Sequence, residues 1–371
     1  MIKQGEAQGK YPLLFSEGRL GNLQLKNRIG LAPMTRTSAE SNGVPNETMT
    51  KYYTRYAEGG FALLITEGTY PDEKYSQGYL NQPGIANEAQ IKGWKGVVER
   101  VHEAGAKIIC QLMHAGALSQ GNIYADETIG PSAVQPKGEQ MAFYGGNGAF
   151  AVPKEMSQED IKDIVRRFAQ ATRNAKEAGF DGVEIHGANG YILDQFLTDY
   201  TNQRRDEYGG RTENRVRLLV ETAQACREAV GSDFLIGIRI SQSKVNDYTH
   251  KWAGGEKDAE VIFTALRNAG LNFIHVTEHH ADQPAFTEGG PTLASLAKKL
   301  SGLPVVVNGN LNTPEQGEAM LESGEVDVVT LGKSALANQD WVKRVAEGKP
   351  LEEFAPQRFF VPDAKVKAFE L

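Results

Sequence analysis

A (β/α)8 TIM barrel is the fold this sequence predicts, on three observations. Eight short, mostly apolar runs recur along the chain, and five of them follow the same punctuation, a helical stretch closed by glycine. Mostly apolar rather than alternating runs are expected of strands covered on both faces. Alternation of such strands with helices implies parallel pairing through right-handed crossovers. A doubly wound open sheet is the alternative, but no G-x-G-x-x-G turn follows the first run. Residues 1–371 are read as one domain, because an α/β barrel takes ~250 residues and the surplus falls in loops and tail.

The elements follow in order. Residues 12–26, with Gly18 and Gly21 as turn points, are read as a hairpin at the closed end of the barrel. The first strand is 27–32. Glu58-Gly59-Gly60 ends a helix before the second strand, 61–66 (FALLIT). Asn87 with Gln90 opens a helix whose buried stripe is Ile91, Trp94, Val98 and Val101. Gly105 then precedes the third strand, 107–112 (KIICQL). From Met113 to Met156 the chain has no helical pattern, which suits a lid or binding loop. Ser157 and Asp160 form a capping box, and Ile161, Ile164, Val165, Phe168 and Ala175 share one helical face. Gly179 leads into the fourth strand, 180–186. A helix starting at Arg211 or Thr212 runs through Leu218 and Leu219 to Val230, before the fifth strand, 234–240. Gly270 precedes the sixth strand, 273–277; the seventh is 304–308; Gly324 precedes the eighth, 326–331. Glycine just past a helix end accepts the left-handed conformation that turns the chain. That recurrent demand accounts for much of the glycine content, 40 of 371 residues.

Composition excludes several functions. The net charge is −7 with acids and bases mixed, so no basic face advertises nucleic acid. No apolar run reaches the ~18 residues of a membrane span. The start, MIKQGEAQGKYPLLF, carries no apolar signal-peptide core, and Cys110 and Cys226 are too few for a disulfide scaffold. A soluble cytoplasmic protein is expected, with Cys110 turned toward the helix layer.

Barrel active sites sit where the strands end. Pro33-Met34-Thr35-Arg36 follows the first strand, and Glu67-Gly68 the second. Gln111 and His114 belong to the third, His186, Asn189 and Tyr191 to the fourth, and Arg239 to the fifth. Glu278-His279-His280 ends the sixth, Asn308-Gly309-Asn310 the seventh and Gly332-Lys333 the eighth. The last two loops are the common phosphate site of this fold, where glycine lets backbone N–H groups approach an anion and Lys333 adds charge. A guanidinium inside an apolar strand needs an anionic partner. For Arg239 that is either Glu184 or an anionic ligand at the barrel mouth; Gln111 is open in the same way, to core or to ligand. His186, Asn189 and Tyr191 supply three donors within six residues, a set suited to a carbonyl or developing oxyanion, and Tyr191 has a transferable proton. A metal reading would add His114, His279 and His280 to His186. It lacks a His-x-His pair on the first strand and a bridging carboxylate set, so His279 and His280 are read as an exposed polar loop.

These residues carry a resemblance. Ala32–Arg36 (APMTR), Ile65–Thr69 (ITEGT), Gln111–Gly116 (QLMHAG), His186–Leu197 (HGANGYILDQFL) and Thr201–Arg215 (TNQRRDEYGGRTENR) are together similar to the Old Yellow Enzyme family of FMN-dependent ene-reductases, over nearly the whole chain. The resemblance implies a non-covalent FMN across the barrel mouth. Pro33, Met34 and Thr35 would line its ring system, Gly68 would add a backbone contact, and Gln111 would bind the pyrimidine edge. Arg239 would face N1–C2, and Asn308, Gly309, Asn310, Gly332 and Lys333 would surround the phosphate side. NADPH or NADH would be the reductant and an electrophilic alkene, such as an α,β-unsaturated carbonyl compound, the oxidant. His186 and Asn189 would bind the substrate oxygen and Tyr191 would protonate Cα. The chain departs from the family at Lys333, where arginine is usual, at Gln339 after Asn338, where proline is usual, at Ala117, where arginine is usual, and in the C-terminal RFFVPDAKVKAFEL. Other readings are a metal-dependent barrel hydrolase or lyase, a non-catalytic flavin or phosphate binder, and a flavin barrel acting on RNA.

Overall fold

A computed structural model describes residues 9–371; the first eight residues, over which part of the signal-peptide expectation falls, lie outside the described residues. Eight parallel strands close into a barrel. In chain order they are β3 (Ile29–Leu31), β4 (Leu63–Ile65), β5 (Lys107–Leu112), β8 (Gly182–Asn189), β9 (Leu235–Lys244), β10 (Phe273–Thr277), β11 (Val305–Asn308) and β12 (Val328–Leu331). Each pairs with its predecessor, and β12 pairs with β3. These are the eight runs expected from the sequence, with β8 and β9 extending further at their C-terminal ends.

Ahead of the barrel, β1 (Gly18–Leu20) and β2 (Leu23–Leu25) form the antiparallel hairpin. Gly18 lies within a strand rather than at a turn, and the turn is made at Gly21, φ +55°. Leu20 and Leu25 pack with Leu63, Leu235, Phe273, Val306 and Val328, at or near the starts of their strands, and so plug the closed end. The glycine punctuation holds: Gly60, Gly105, Gly179, Gly270 and Gly324 all have positive φ, so the pair Gly59-Gly60 turns at its second member.

The capping box forms, Ser157 Oγ accepting from Asp160 N and Asp160 Oδ2 from Ser157 N, and it starts the helix Gln158–Glu177. Asn87 caps the helix Glu88–Glu103 through Gln90 N. The helix expected from 211 or 212 to 230 is instead divided at Val216 into Thr212–Arg215 and Arg217–Val230. Thr212 does not cap it: the hydroxyl donates to Asp258 Oδ1 at 2.6 Å, which ties this helix to the one at Glu256–Arg267. The long segment after β5 holds two short 3-10 turns, Gly116–Leu118 and Ala142–Tyr144. It also holds a parallel pair, β6 (Ile129–Gly130) with β7 (Lys154–Glu155). No helix among the described residues is long and apolar enough to cross a membrane. Cys110 is buried in the layer between strands and helices, as expected.

Candidate active site at the C-terminal ends of the strands

A cavity of about 280 Å³ opens at the C-terminal mouth of the barrel. It gathers ten of the residues singled out above: Pro33, Met34, Thr35, Gln111, His186, Asn189, Tyr191, Arg239, Gly332 and Lys333. Gly68, Asn308, Gly309 and Asn310 do not line it. A Cβ on Gly68 would lie 2.3 Å from Met113 Sδ, so this glycine makes room for Met113, which does line the cavity. Gly309 (φ +148°) is pressed against the Glu278 carbonyl, 2.2 Å from where a Cβ would stand. Asn310 turns to His280 Nδ1 at 3.2 Å. Asn308 sits one layer below, with its Oδ1 accepting from Arg239 Nη2 at 2.9 Å and from Thr277 Oγ1 at 3.1 Å.

Arg239 settles one of the questions left open by the sequence. Glu184 does not pair with it directly. Its Oε1 instead accepts from Gln111 Nε2 at 2.9 Å, and its Oε2 lies 2.7 Å from His275 Nδ1. Burial alone would raise the Glu184 pKa, but His275, Arg239 and Gln111 together hold it below the usual carboxylate value. Arg239 itself is only 5% exposed and its Nε has no hydrogen-bond partner. Burial pulls its pKa down to about 10, against the attraction of Glu184, so it remains a cation at neutral pH. A buried, cationic, incompletely satisfied guanidinium on a cavity wall is costly unless something anionic meets it.

The opposite wall is built by the β8 end. Strand pairing with β9 is irregular between Gly187 and Asn189, and Asn189 takes a positive φ of +61°, which turns the chain at this point. Asn189 N donates to Ser241 Oγ at 2.8 Å. The following turn is pinned by a buried ion pair, Lys244 to Asp194 at 2.8 Å, whose Oδ2 also accepts from Gly190 N at 2.7 Å. Burial, with Arg239 and His275 nearby, pushes the His186 pKa well below 6.5, so the ring is neutral. Its Nδ1 accepts from Ala188 N at 3.4 Å, which assigns the ring hydrogen to Nε2. Tyr191 O–H is 2.6 Å from Tyr79 O–H, and burial pushes the Tyr191 pKa up to about 12, so it is protonated at neutral pH.

The loop after β3 forms the remaining wall and is clamped from below. Glu67 Oε2 accepts from Arg36 N at 2.9 Å and from Thr37 N at 3.0 Å, at a turn where Thr37 has φ +44°. Burial raises the Glu67 pKa to about 7, against these hydrogen bonds. Met113, Met141, Tyr144, Val245, Leu336, Phe354 and Phe360 complete the cavity without having been singled out from the sequence. Tyr79, which bonds Tyr191, was also missed. They come from loops, from the short helix Lys333–Ala337 and from the tail, where no periodicity marks a residue as facing a site. The only signal was the length of the segment that supplies Met141 and Tyr144.

His279 and His280 are exposed at the rim, and His275 is buried against Glu184 inside the barrel. Among the described residues no group of three or more His, Cys, Asp or Glu stands together to hold a metal.

The residues present fit the flavin that the resemblance implies. Arg239 lacks a partner for Nε, as an anionic ring edge would supply. The nearest atom to a Cβ on Gly332 would be Met34 Sδ at 3.7 Å, so the backbone there stands open beside the exposed Lys333. The sequence matches the profile of the NADH:flavin oxidoreductase / NADH oxidase family over residues 13–352. It is 37% identical over 349 residues to a protein of Leishmania infantum named as a probable flavin mononucleotide-dependent alkene reductase, covering 92% of each chain. It is 33% identical to the NADH oxidase of Thermoanaerobacter brockii over 92% of this chain, but spans only 52% of that longer protein. Among solved structures, an old yellow enzyme homologue from Zymomonas mobilis superposes with a TM-score of 0.83 at 32% identity, covering 92% of this chain and 94% of the other.

Proposed function

The chain belongs to the NADH:flavin oxidoreductase / NADH oxidase family, and from that premise we propose that it is an FMN-dependent ene-reductase. In this reading it reduces the activated C=C bond of α,β-unsaturated carbonyl compounds at the expense of NADPH or NADH. The observation that carries the proposal is the cavity itself: Arg239, buried and short of a partner, shares it with a neutral His186, with Asn189 and with a protonated Tyr191.

FMN, when bound, supplies the hydride chemistry between nicotinamide and alkene. Pro33, Met34 and Thr35 would hold its ring on one side, with Gln111 and Arg239 at the pyrimidine edge and the Arg239 cation balancing negative charge there. Gly332 and Lys333 would hold the phosphate, the lysine as a point charge rather than a bidentate fork. Gly309 and Asn310 would contribute from the neighbouring loop, and Asn308 by steadying Arg239.

His186 Nε2–H and Asn189 bind the carbonyl oxygen and stabilise the enolate-like charge that develops on it. A neutral imidazole suits this role because it donates without surrendering its proton. Tyr191 gives its phenolic proton to Cα. A pKa of about 12 makes free ionisation unfavourable in the resting site, so the proton leaves when the enolate-like carbon is present to take it. Tyr79, hydrogen-bonded to that oxygen, is placed to stabilise the phenolate left behind.

The test is anaerobic and in two steps: reduction of the bound flavin by NADPH or NADH, then addition of 2-cyclohexenone. Reoxidation by the enone is expected. Reduction with no reoxidation by any enone would leave a flavin reductase, and a colourless protein that cannot be reconstituted with FMN would overturn the proposal altogether. Tyr191→Phe is expected to slow the second step by ~10²-fold, within the range of general-acid contributions, and to spare the first. Equal losses in both steps would count against proton donation.

A further inference from the structure

The C-terminal segment does not end where the barrel is complete. After the helix Pro356–Phe360 it doubles back across the loop that follows β3. Arg36, fully buried on that loop, meets it with every guanidinium nitrogen. Nη1 and Nη2 pair with the two oxygens of Glu370 at 2.5 and 2.7 Å, Nε donates to Ala364 O at 3.0 Å, and Nη2 donates to Lys365 O at 3.3 Å. Glu370 is itself 1% exposed. Two more ties join the segments: Val366 N donates to Ser38 Oγ at 2.8 Å, and Ala364 N donates to Phe143 O at 2.9 Å, beside the cavity residue Tyr144. Phe360, at the root of this strap, lines the cavity, packs 5.2 Å from the Phe143 ring and lies 6.0 Å from the Arg36 guanidinium.

We propose that Glu370 is a positioning residue for substrate selection: by pairing with Arg36 it straps residues 361–371 over the β3 loop and holds Phe360 at the cavity wall, which limits the size of the alkene admitted. The surrounding geometry favours this over a purely structural anchor. Arg36 follows Thr35 directly, and the strap ties together the β3 loop, the Ala142–Tyr144 turn and Phe360, three elements that border one cavity. An ion pair with both members buried is strongly destabilised when one partner is removed. The strap therefore has one well-defined closed position. The inference rests on the functional reading above.

The experiment uses the full-length, flavin-loaded protein. kcat/KM is measured for 2-cyclohexenone and for an enone bearing a phenyl substituent, in wild type, Glu370→Gln, Phe360→Ala and the double variant. Each single variant is expected to shift the ratio toward the bulky enone by about tenfold, the low end of what one pocket contact contributes to discrimination. The double variant should add little, because both changes open the same wall. Hydrogen exchange supplies a readout independent of turnover: Glu370→Gln should deprotect the Ala364 and Val366 amides while the barrel strands keep their protection. Ser38→Ala, which removes the Val366 tie and a hydroxyl bond to the Arg36 carbonyl but leaves the Arg36–Glu370 pair, is the milder variant should Glu370→Gln fold poorly, and it should shift ratio and exchange in the same direction. An unchanged ratio, or shifts that simply multiply in the double variant, would overturn the inference alone. Failure of both enones to reoxidise the wild type would overturn the functional reading and this inference with it.

Discussion

Arg239 shows how much one residue can say about a site. Its place in an apolar strand called for an anion, and the structure withholds the obvious candidate, because Glu184 is engaged by Gln111 and His275. If Arg239 serves a bound flavin, Arg239→Gln should weaken FMN affinity ten- to a hundredfold, from the ~1.5–3 kcal/mol of a hydrogen bond to a charged group at 1.4 kcal/mol per tenfold. The flavin-stripped variant should melt no lower than the stripped wild type, because a buried, under-satisfied cation has been removed; fluorescence titration and thermal melts check both. The neighbouring histidine makes a second prediction. With its pKa well below 6.5, His186 is neutral from pH 8 down to 6, so alkene reduction should show no inflection from it across that range. A pH profile of the second half-reaction that bends near 6.5 in wild type and straightens in His186→Asn would refute this. Of the side chains in the cavity, most of those on strands and in the motifs just beyond them were legible in the sequence, Met113 after β5 and Val245 after β9 excepted. Tyr79 and Phe360 were not, since nothing local distinguishes a loop tyrosine or a tail phenylalanine that faces a cavity from one that faces water.

At the level of elements, local chemistry predicted local structure well. The capping box at Ser157 and Asp160 needs only four residues to form, and it forms. Ser157→Ala should cost about 1 kcal/mol, the usual value of an N-cap. The hairpin differs in kind: the glycine at its turn, Gly21, announced it, but its purpose lies in two leucines that fill the barrel floor from outside the strand sequence. Leu20 is completely buried there, so Leu20→Ala should cost ~2–5 kcal/mol, several times the cap, while leaving the distant cavity and its flavin spectrum unchanged. Denaturant unfolding of the two variants side by side checks the ordering. The helix divided at Val216 starts where expected and is split by one residue whose backbone stays right-handed, while its Thr212 hydroxyl bonds Asp258 on another helix.

For the whole molecule, buried titratable groups predict how stability depends on pH. His114, His186, His250 and His275 all have folded-state pKa values lowered by burial. Below pH 6.5 the unfolded chain therefore takes up protons that the folded protein refuses, and stability falls by up to ~1.4 kcal/mol per pH unit for each. Glu67 works in the opposite sense. Its folded pKa of about 7 lies above the unfolded 4.5, so its contribution is present below 4.5 and lost as pH rises through 7. Between pH 4.5 and 6.5 the four histidines outnumber the one carboxyl, so acidification costs stability on balance. His114→Asn, whose Oδ1 can replace Nδ1 as acceptor for Gly116 N, should make the profile shallower by one histidine's share; unfolding free energies at pH 5 and 6.5 would show it. The sequence by itself determined the barrel, because eight buried strands and their glycine-closed helices are written in local periodicity and turn chemistry. It also determined which polar residues stand at the strand ends, because a strand carries its end residues to one rim. Only the tertiary structure decided which of those rim residues share a cavity, that Gly68 and Gly309 serve packing against Met113 and Glu278, and that Glu370 closes on Arg36 from 334 residues away. Those are distances between segments that meet only when the chain closes on itself, and no local pattern encodes them.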